Sequence, residues 1–430
     1  MSKMLILSLL IIQLGVLNAQ SETEDSELLQ WLKTIPGVEI EEIKPPDLFK
    51  ESYKIFIRQP IDHFNPDGGW FKQKIFISHL DKKRPVVFVT EGYWGSNSIS
   101  EPARILLANQ ILVEHRFFGE SAPDSINWNY MTVKQAASDH HRIVELFKQF
   151  YHGEWINTGV SKGGQTTIYH RYFYPEDVDV SIPYVAPLNF SDADKRVHAF
   201  IENISSPECR AKVYEYQRTL LERRDEILPL FKKFAEENSM TFRIGIDAAF
   251  EYCVLEYSFA YWQYGNGDCS QIPERNSPPE RLFTHLTENS PPDYFSDQGI
   301  KFFEPFFYQA FTETGFYDYD ISPFEDLIKF TDGSNKVWYP ENATLTFNSE
   351  LMNDINRWIQ TEAENFIFIY GENDPWSATS VCLSGRTNSI KMVLKNGNHG
   401  ANIMKFPVRE REYILKKLDE WLDSEFSFPE

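Results

Sequence analysis

The spacing of apolar positions changes along the chain, and the changes divide it into segments. Residues 53–58 and 73–79 alternate apolar and polar side chains around the turn cluster Asn65-Pro66-Asp67-Gly68-Gly69, which predicts an antiparallel hairpin. Two short runs follow, Val86-Val87-Phe88-Val89-Thr90 and Ile111-Leu112-Val113, with no polar face, the pattern of strands covered on both sides. Helix-like spacing lies between them over 99–109. It returns over 133–151 through Val133, Ala136, Ala137, Ile143, Val144, Phe147 and Phe150, ahead of the stop His152-Gly153. Residues 155–160 then read as a strand, 163–174 as a helix ended by Pro175, and 178–185 as a strand. Strand and helix in alternation imply a parallel sheet.

From about residue 192 to 332 that order gives way mostly to long helix-period segments, for example 210–237, carrying Val213, Tyr216, Leu220, Leu221, Ile227 and Leu228. It resumes with a helix over 349–360, strands over 366–370 and 392–394, and an amphipathic helix over 410–422. Residues 20–52 are polar and acidic, are broken at Pro45-Pro46, and read as a lead-in arm. Residues 1–19 start with basic Lys3, continue as an apolar run and end in Leu17-Asn18-Ala19, the pattern of a cleavable signal peptide too short to span a bilayer. A secreted or periplasmic protein is the expectation.

Charge narrows the partners. Against 42 Lys and Arg the chain carries 63 Asp and Glu, a formal charge of −21, which leaves nothing to neutralise a phosphate backbone and argues against nucleic acid. The same excess favours cationic substrates, such as peptides with a free amine. No later segment has the apolar length of a membrane span. The four cysteines, Cys209, Cys253, Cys269 and Cys382, include no C-x-x-C pair, so no metal or other cofactor is expected. In an oxidising compartment they permit three connectivities, and a bridge among the three that share one segment is the natural guess.

Chemistry concentrates at three loops. Gly159-Val160-Ser161-Lys162-Gly163 fits G-x-S-x-G between a predicted strand and a predicted helix, where small neighbours let a sharp turn expose the serine hydroxyl. Serine is a poor nucleophile without a base, and the base needs a carboxylate to hold its tautomer. The loop after the 366–370 strand offers Asp374, and Asn396-Gly397-Asn398-His399-Gly400 follows the next strand, completing the order Ser, acid, His at strand C-terminal ends. Glu372 and Asp354 compete as acids, but a strand-end loop suits the role better than a helix face. His115, His140 and His141 precede the serine and are expected to be buried structural residues. The oxyanion hole is expected from the backbone N–H of Lys162 with one from the loop Glu91-Gly92-Tyr93-Trp94-Gly95, that is Gly92 or Tyr93. Glu91 is either an ion-paired structural residue or the receptor for a substrate ammonium. These features predict an α/β-hydrolase core from residues 53–190 and 343–430, with a helical cap over 191–342.

The chain resembles the secreted bacterial tripeptidyl aminopeptidases of the serine peptidase type, cousins of the lysosomal Pro-X carboxypeptidases and dipeptidyl peptidases. The resemblance rests on Thr90-Glu91-Gly92-Tyr93, Glu114-His115-Arg116-Phe117-Phe118-Gly119-Glu120-Ser121, Gly159 to Gly164, Gly371-Glu372-Asn373-Asp374-Pro375-Trp376 and Gly397 to Gly400, and spans about residues 50–430. It implies an exopeptidase that takes peptides with a free N-terminus. Val160 and Lys162 stand where the lysosomal cousins carry a glycine and an aromatic residue, which places the chain nearer the aminopeptidase branch. In the Glu114 to Ser121 block, Arg116 beside two glutamates suggests a buried ion pair bracing the floor of the site. Competing functions are a Pro-X type carboxypeptidase, a carboxylesterase, disfavoured by the missing H-G-G-G loop, and a non-catalytic binding protein on a hydrolase scaffold.

Overall fold

A computed structural model describes residues 25–422 apart from 266, 341, 342 and 344. The expected signal peptide lies outside the described residues, as does the end of the chain after 422. Within residues 25–36, helix α1 (Glu27–Leu32) is capped by the Ser26 hydroxyl, which accepts from Leu29 N–H.

The remaining chain is built on a nine-stranded sheet: β1 (Glu39–Ile43), β2 (Glu51–Pro60), β3 (Trp70–His79), β4 (Val86–Thr90), β5 (Asn109–Val113), β6 (Trp155–Val160), β7 (Val180–Tyr184), β8 (Ile367–Gly371) and β9 (Ile390–Leu394). Its order is β1-β2-β3-β5-β4-β6-β7-β8-β9. The first three strands and β5 pair antiparallel, and every pair from β5 to β9 is parallel. The central strands β4 to β8 are buried along almost their whole length, which accounts for their unbroken apolar runs. The expected arm is itself partly sheet: β1 adds to the edge through five paired residues although three of them, in Glu-Ile-Glu-Glu-Ile, are acidic. An edge strand tolerates that composition because one side faces water.

Helices cover both faces. Helix α2 (Glu101–Leu106) precedes β5, α3 (Val133–Phe147) precedes β6, and α4 (Lys162–Phe173) precedes β7. Between β7 and β8 the chain leaves the sheet for α5 (Arg196–Ile201), α6 (Pro207–Glu222), α7 (Arg224–Glu237), α8 (Ile246–Tyr264), α9 (Pro279–Asn289), α10 (Asp297–Phe302) and α11 (Glu304–Gln309). It returns through α12 (Glu350–Thr361), and α13 (Val408–Trp421) follows β9. One face packs Ile414 and Leu418 of α13 on the sheet, and the other packs Ile168, Met352, Ile355 and Ile359. This sheet order, with a strand-turn-helix at the centre, is the α/β-hydrolase fold.

Two sequence expectations need correction. The continuous helix over 210–237 is two helices broken at Arg223, whose guanidinium donates to the carbonyls of Arg275 and Ser277, while Arg224 turns inward to pair with Glu251. Pro229, early in the second helix, also disfavours an unbroken helix there, and the partners of Arg223 and Arg224 lie more than twenty residues away. His141 is half-buried rather than buried, stacked 4.0 Å from the Tyr174 ring and bonded to Asp177. Cys209 and Cys269 form a disulfide that ties the start of α6 to the segment after α8, while Cys253 is buried and free and Cys382 is exposed and free. No helix among the described residues is long and apolar enough to cross a membrane.

Candidate active site

At the C-terminal end of β6 the chain reverses into α4 in one residue. Ser161 holds φ 59° and ψ −122°, a conformation costly for a side-chain-bearing residue, and its N–H donates to Tyr184 O at 2.9 Å. The flanking glycines are required by contact. A Cβ on Gly159 would stand 2.3 Å from Gly163 O, and one on Gly163 would stand 2.9 Å from Thr90 O. The small residues therefore let β6, α4 and the end of β4 converge beneath the serine.

Asp374 and His399 come from the loops after β8 and β9. Asp374 is fully buried and opens a short 3-10 turn, its Oδ1 accepting from Trp376 N–H, while its Oδ2 lies 2.7 Å from His399 Nδ1. That bond fixes the ring with Nε2 free for a second partner. The histidine loop is anchored from the helical insertion: His399 N–H donates to Gln263 O at 3.0 Å, Asn398 donates to Gly265 O at 2.8 Å, and the Tyr264 ring packs edge-on against the imidazole at 5.9 Å. The competing acids are engaged elsewhere. Glu372 accepts from Asn396 N–H and braces the turn before His399, and Asp354 pairs with Arg357 on the exposed side of α12.

The loop after β4 abuts the serine turn, where a Cβ on Gly92 would stand 2.6 Å from both Gly163 N and Lys162 Cβ. Lys162 is the first residue of α4, so its backbone N–H has no partner within the helix. Its side chain is buried between the rings of Tyr93 and Phe118, at 5.9 and 5.8 Å, and burial pushes its ammonium down to about 7.

Beneath this loop lies a network of buried charges. Glu114 accepts from Gly95 N–H, from both the N–H and hydroxyl of Ser121, and from Lys74 Nζ at 2.8 Å. Arg116 pairs with neither glutamate expected from the sequence. It forms a two-pronged bond with Asp139 of α3, at 2.6 and 2.9 Å, and donates to the carbonyls of Pro60, Ile61 and Tyr130. Glu114 is occupied by Lys74, Gly95 and Ser121, and Glu120 by Lys74 and Lys54, while Asp139 of α3 faces the guanidinium fork. His63 adds a third contact to Asp139 at 2.7 Å. His115 and His140 are buried, and burial holds His140 down to about 3. Away from the site, His141, Glu145 and Asp177 bring ligand atoms within 4.8 Å, but Asp177 is already shared by His141 and His170.

A cavity of about 1330 Å³ opens above Ser161 and His399. Tyr93 and Trp94 of the β4 loop and Trp376 contribute to its wall, and the insertion between β7 and β8 supplies most of the rest, from α8, α10, the turn at 238–240 and the segment 288–296. Glu91 is partly buried and is not in that wall; burial and the neighbouring Glu114 push its carboxyl up to about 7. A different glutamate is in the wall, Glu256 of α8, which sequence reasoning did not single out. The available signal was an acid within an otherwise largely apolar helical run, Tyr252-Cys253-Val254-Leu255-Glu256-Tyr257.

Comparison with known proteins adds a family to this geometry. The PS-10 peptidase S37 family matches residues 21–422. A prolyl tri/tetrapeptidyl aminopeptidase of Streptomyces mobaraensis is 35% identical over 398 residues, covering 90% of this chain and 83% of that protein. The lysosomal Pro-X carboxypeptidase of Mus musculus is 27% identical over 181 residues, 36% of this chain and 37% of the relative. Among solved structures, a proline iminopeptidase of Mycobacterium smegmatis is similar at 12% identity and a TM-score of 0.41, over 85% of this chain and 98% of that one. Matched along almost its whole length, the chain belongs to the PS-10 peptidase S37 family and is a serine peptidase.

Proposed function

We propose that this peptidase is an exported aminopeptidase that releases short N-terminal fragments, di- or tripeptides, through an acyl-enzyme on Ser161. The observation that carries the reading is the 2.7 Å bond from Asp374 to His399 Nδ1 in a cavity whose wall also holds Ser161. In the proposed step the Ser161 hydroxyl gives its proton to His399 Nε2 and attacks the peptide carbonyl. Asp374 keeps the Nδ1–H oriented and stabilises the imidazolium. The carbonyl oxygen, now negative, accepts from Lys162 N–H and from an N–H of Gly92 or Tyr93. The leaving amine takes the proton from His399, and water then hydrolyses the ester by the same route in reverse.

The substrate end follows from the enclosure and the relative. Residues 191–342 serve as a cap that keeps folded proteins from the serine and admits a chain end. The name of the Streptomyces relative, prolyl tri/tetrapeptidyl aminopeptidase, supports the N-terminal end and a short fragment. Export rests on the signal-peptide pattern of residues 1–19 and agrees with the Cys209–Cys269 disulfide. A ladder of fluorogenic peptides, free or blocked at either end, tests the reading. Cleavage that requires a free amine and yields fragments of fixed length is expected; cleavage that requires a free carboxylate would replace the aminopeptidase with a carboxypeptidase.

A further inference from the structure

Glu256 occupies an unusual position for a carboxylate. Its residue is 6% exposed, yet it forms part of the wall of the cavity that holds Ser161 and His399. Its Oε2 accepts from the hydroxyls of Tyr317 at 2.9 Å and Tyr319 at 2.6 Å. Among the described residues no Lys, Arg or His pairs with it, and none of those lining the cavity is Lys or Arg. Among the described residues, carboxylates as buried as Glu256 are matched elsewhere, Asp139 by Arg116, Glu251 by Arg224 and Glu114 by Lys74, whereas the partly buried Glu91 and Glu313 resemble Glu256 in being pushed up by burial with no cation paired to them. An unmatched carboxylate is costly unless it takes up a proton or a cation arrives from outside.

The surroundings suit such a cation. Tyr317 stacks on Phe259 at 4.0 Å and packs on Trp376 at 5.4 Å, so the glutamate's own donor touches the residue two positions after Asp374. Phe259, Tyr317 and Trp376 all line the cavity beside the carboxylate. One aromatic layer thus separates Glu256 from the loop that carries Asp374, and Glu256 and Trp376 of that loop line the same cavity.

We propose that Glu256, held by Tyr317 and Tyr319, is the receptor for the α-ammonium group of the peptide substrate. The inference rests on the aminopeptidase reading above and deepens it. The separation of Glu256 from Ser161 then sets how many residues are released, since an extended chain advances about 3.3 to 3.6 Å per residue. Glu91, on the β4 loop and outside the cavity wall, is left to tune that loop beside Glu114.

The test is the ratio of kcat/KM for a fluorogenic proline-containing tripeptide amide with a free N-terminus to that of its N-acetylated form, measured for the wild type, Glu256→Gln and Glu91→Gln. Circular dichroism and fluorophosphonate labelling verify folding in each. A large wild-type ratio that falls by at least about 30-fold in Glu256→Gln, but not in Glu91→Gln, is expected for loss of a buried charge contact. If Glu256→Gln does not fold, Glu256→Asp keeps the charge and withdraws it by one methylene, and the same ratio should fall by about 5-fold, roughly half that effect on a logarithmic scale. A wild-type ratio near one overturns the aminopeptidase reading itself. A large wild-type ratio unchanged by substitution at Glu256 overturns only this assignment, and the same ratio lost in Glu91→Gln transfers the role to Glu91.

Discussion

The floor and the roof of the cavity treat buried charge differently. In the floor, Glu114, Arg116 and Asp139 are fully buried, and each is satisfied by this chain: Glu114 by Lys74, Ser121 and Gly95, and Arg116 by Asp139 and three carbonyls. In the roof, Glu256 is nearly as buried and has two tyrosine hydroxyls but no cation among the described residues. A closed network holds the loops around Ser161 in one geometry and asks for nothing from outside. An open one is stable only as a protonated acid or with a cationic visitor, so the difference separates what positions the reaction from what selects the substrate.

The largest expected effect lies at the nucleophile. Ser161→Ala should lower kcat by about 10⁶ for every substrate, with or without an amine, and abolish fluorophosphonate labelling while the melting curve stays intact. Residual labelling at a single site would move the nucleophile elsewhere. Asp374→Asn should cost about 10⁴ in kcat by letting the His399 ring take the wrong tautomer, again without distinguishing free from acetylated peptides. If Asp374→Asn changed that selectivity, the division between reaction and selection would be wrong.

Substitution in the floor should act on stability. Arg116→Met leaves Asp139 buried with only His63 beside it and is expected to cost about 3 to 5 kcal/mol in urea unfolding at neutral pH. Asp139 itself is held below the usual carboxylate range, against the opposing effect of burial, by the Arg116 charge and by bonds from His63 and Arg116. Its contribution is therefore present above its unfolded value of about 3.9 and disappears as pH falls through the lower folded value, so the cost of Arg116→Met should shrink in acid. A cost that is flat from pH 7 to pH 2 would contradict the pairing.

The smallest effect has the opposite sign. Burial pushes Glu256 up to about 7. Its facing groups Tyr264, Tyr294, Tyr317 and Tyr319, and Cys253 on its own helix, are all pushed upward too, so they stay neutral below pH 9; Glu288 and Asp293 line the same cavity as exposed acids. A raised carboxylate destabilises the fold as pH rises from its unfolded value of about 4.3 to its folded one, and the deficit persists above that. Glu256→Gln should therefore unfold at the same urea concentration as wild type at pH 4 and be more stable by up to about 3 kcal/mol at pH 8. A free-amine peptide that resists turnover should reduce that gap in the wild type. An equal effect of the substitution at both pH values would mean that the carboxylate is matched by something in the protein.

Local pattern alone made the order of elements legible. The two-sided apolar runs of β4 and β8, the helix spacing of α3 and the contact-limited glycines around Ser161 each reflect a demand met by neighbours in the chain. Asp374 and His399 could be singled out by loop position and chain order, but their 2.7 Å separation depends on β8 and β9 pairing in register and on the Gln263 carbonyl, contributed from over a hundred residues away. Tertiary structure alone decided that Glu39–Ile43 becomes an edge strand, that the helix break falls at Arg223, and that Arg116 chooses Asp139 over its neighbouring glutamates. It also decided that, of Glu91 and Glu256, the second enters the cavity wall. The reason is physical: apolar periodicity is set by backbone geometry over a few residues. The partner of a buried charge is set by which groups the fold brings within about 3 Å in a medium that screens weakly, and no sequence separation encodes that distance.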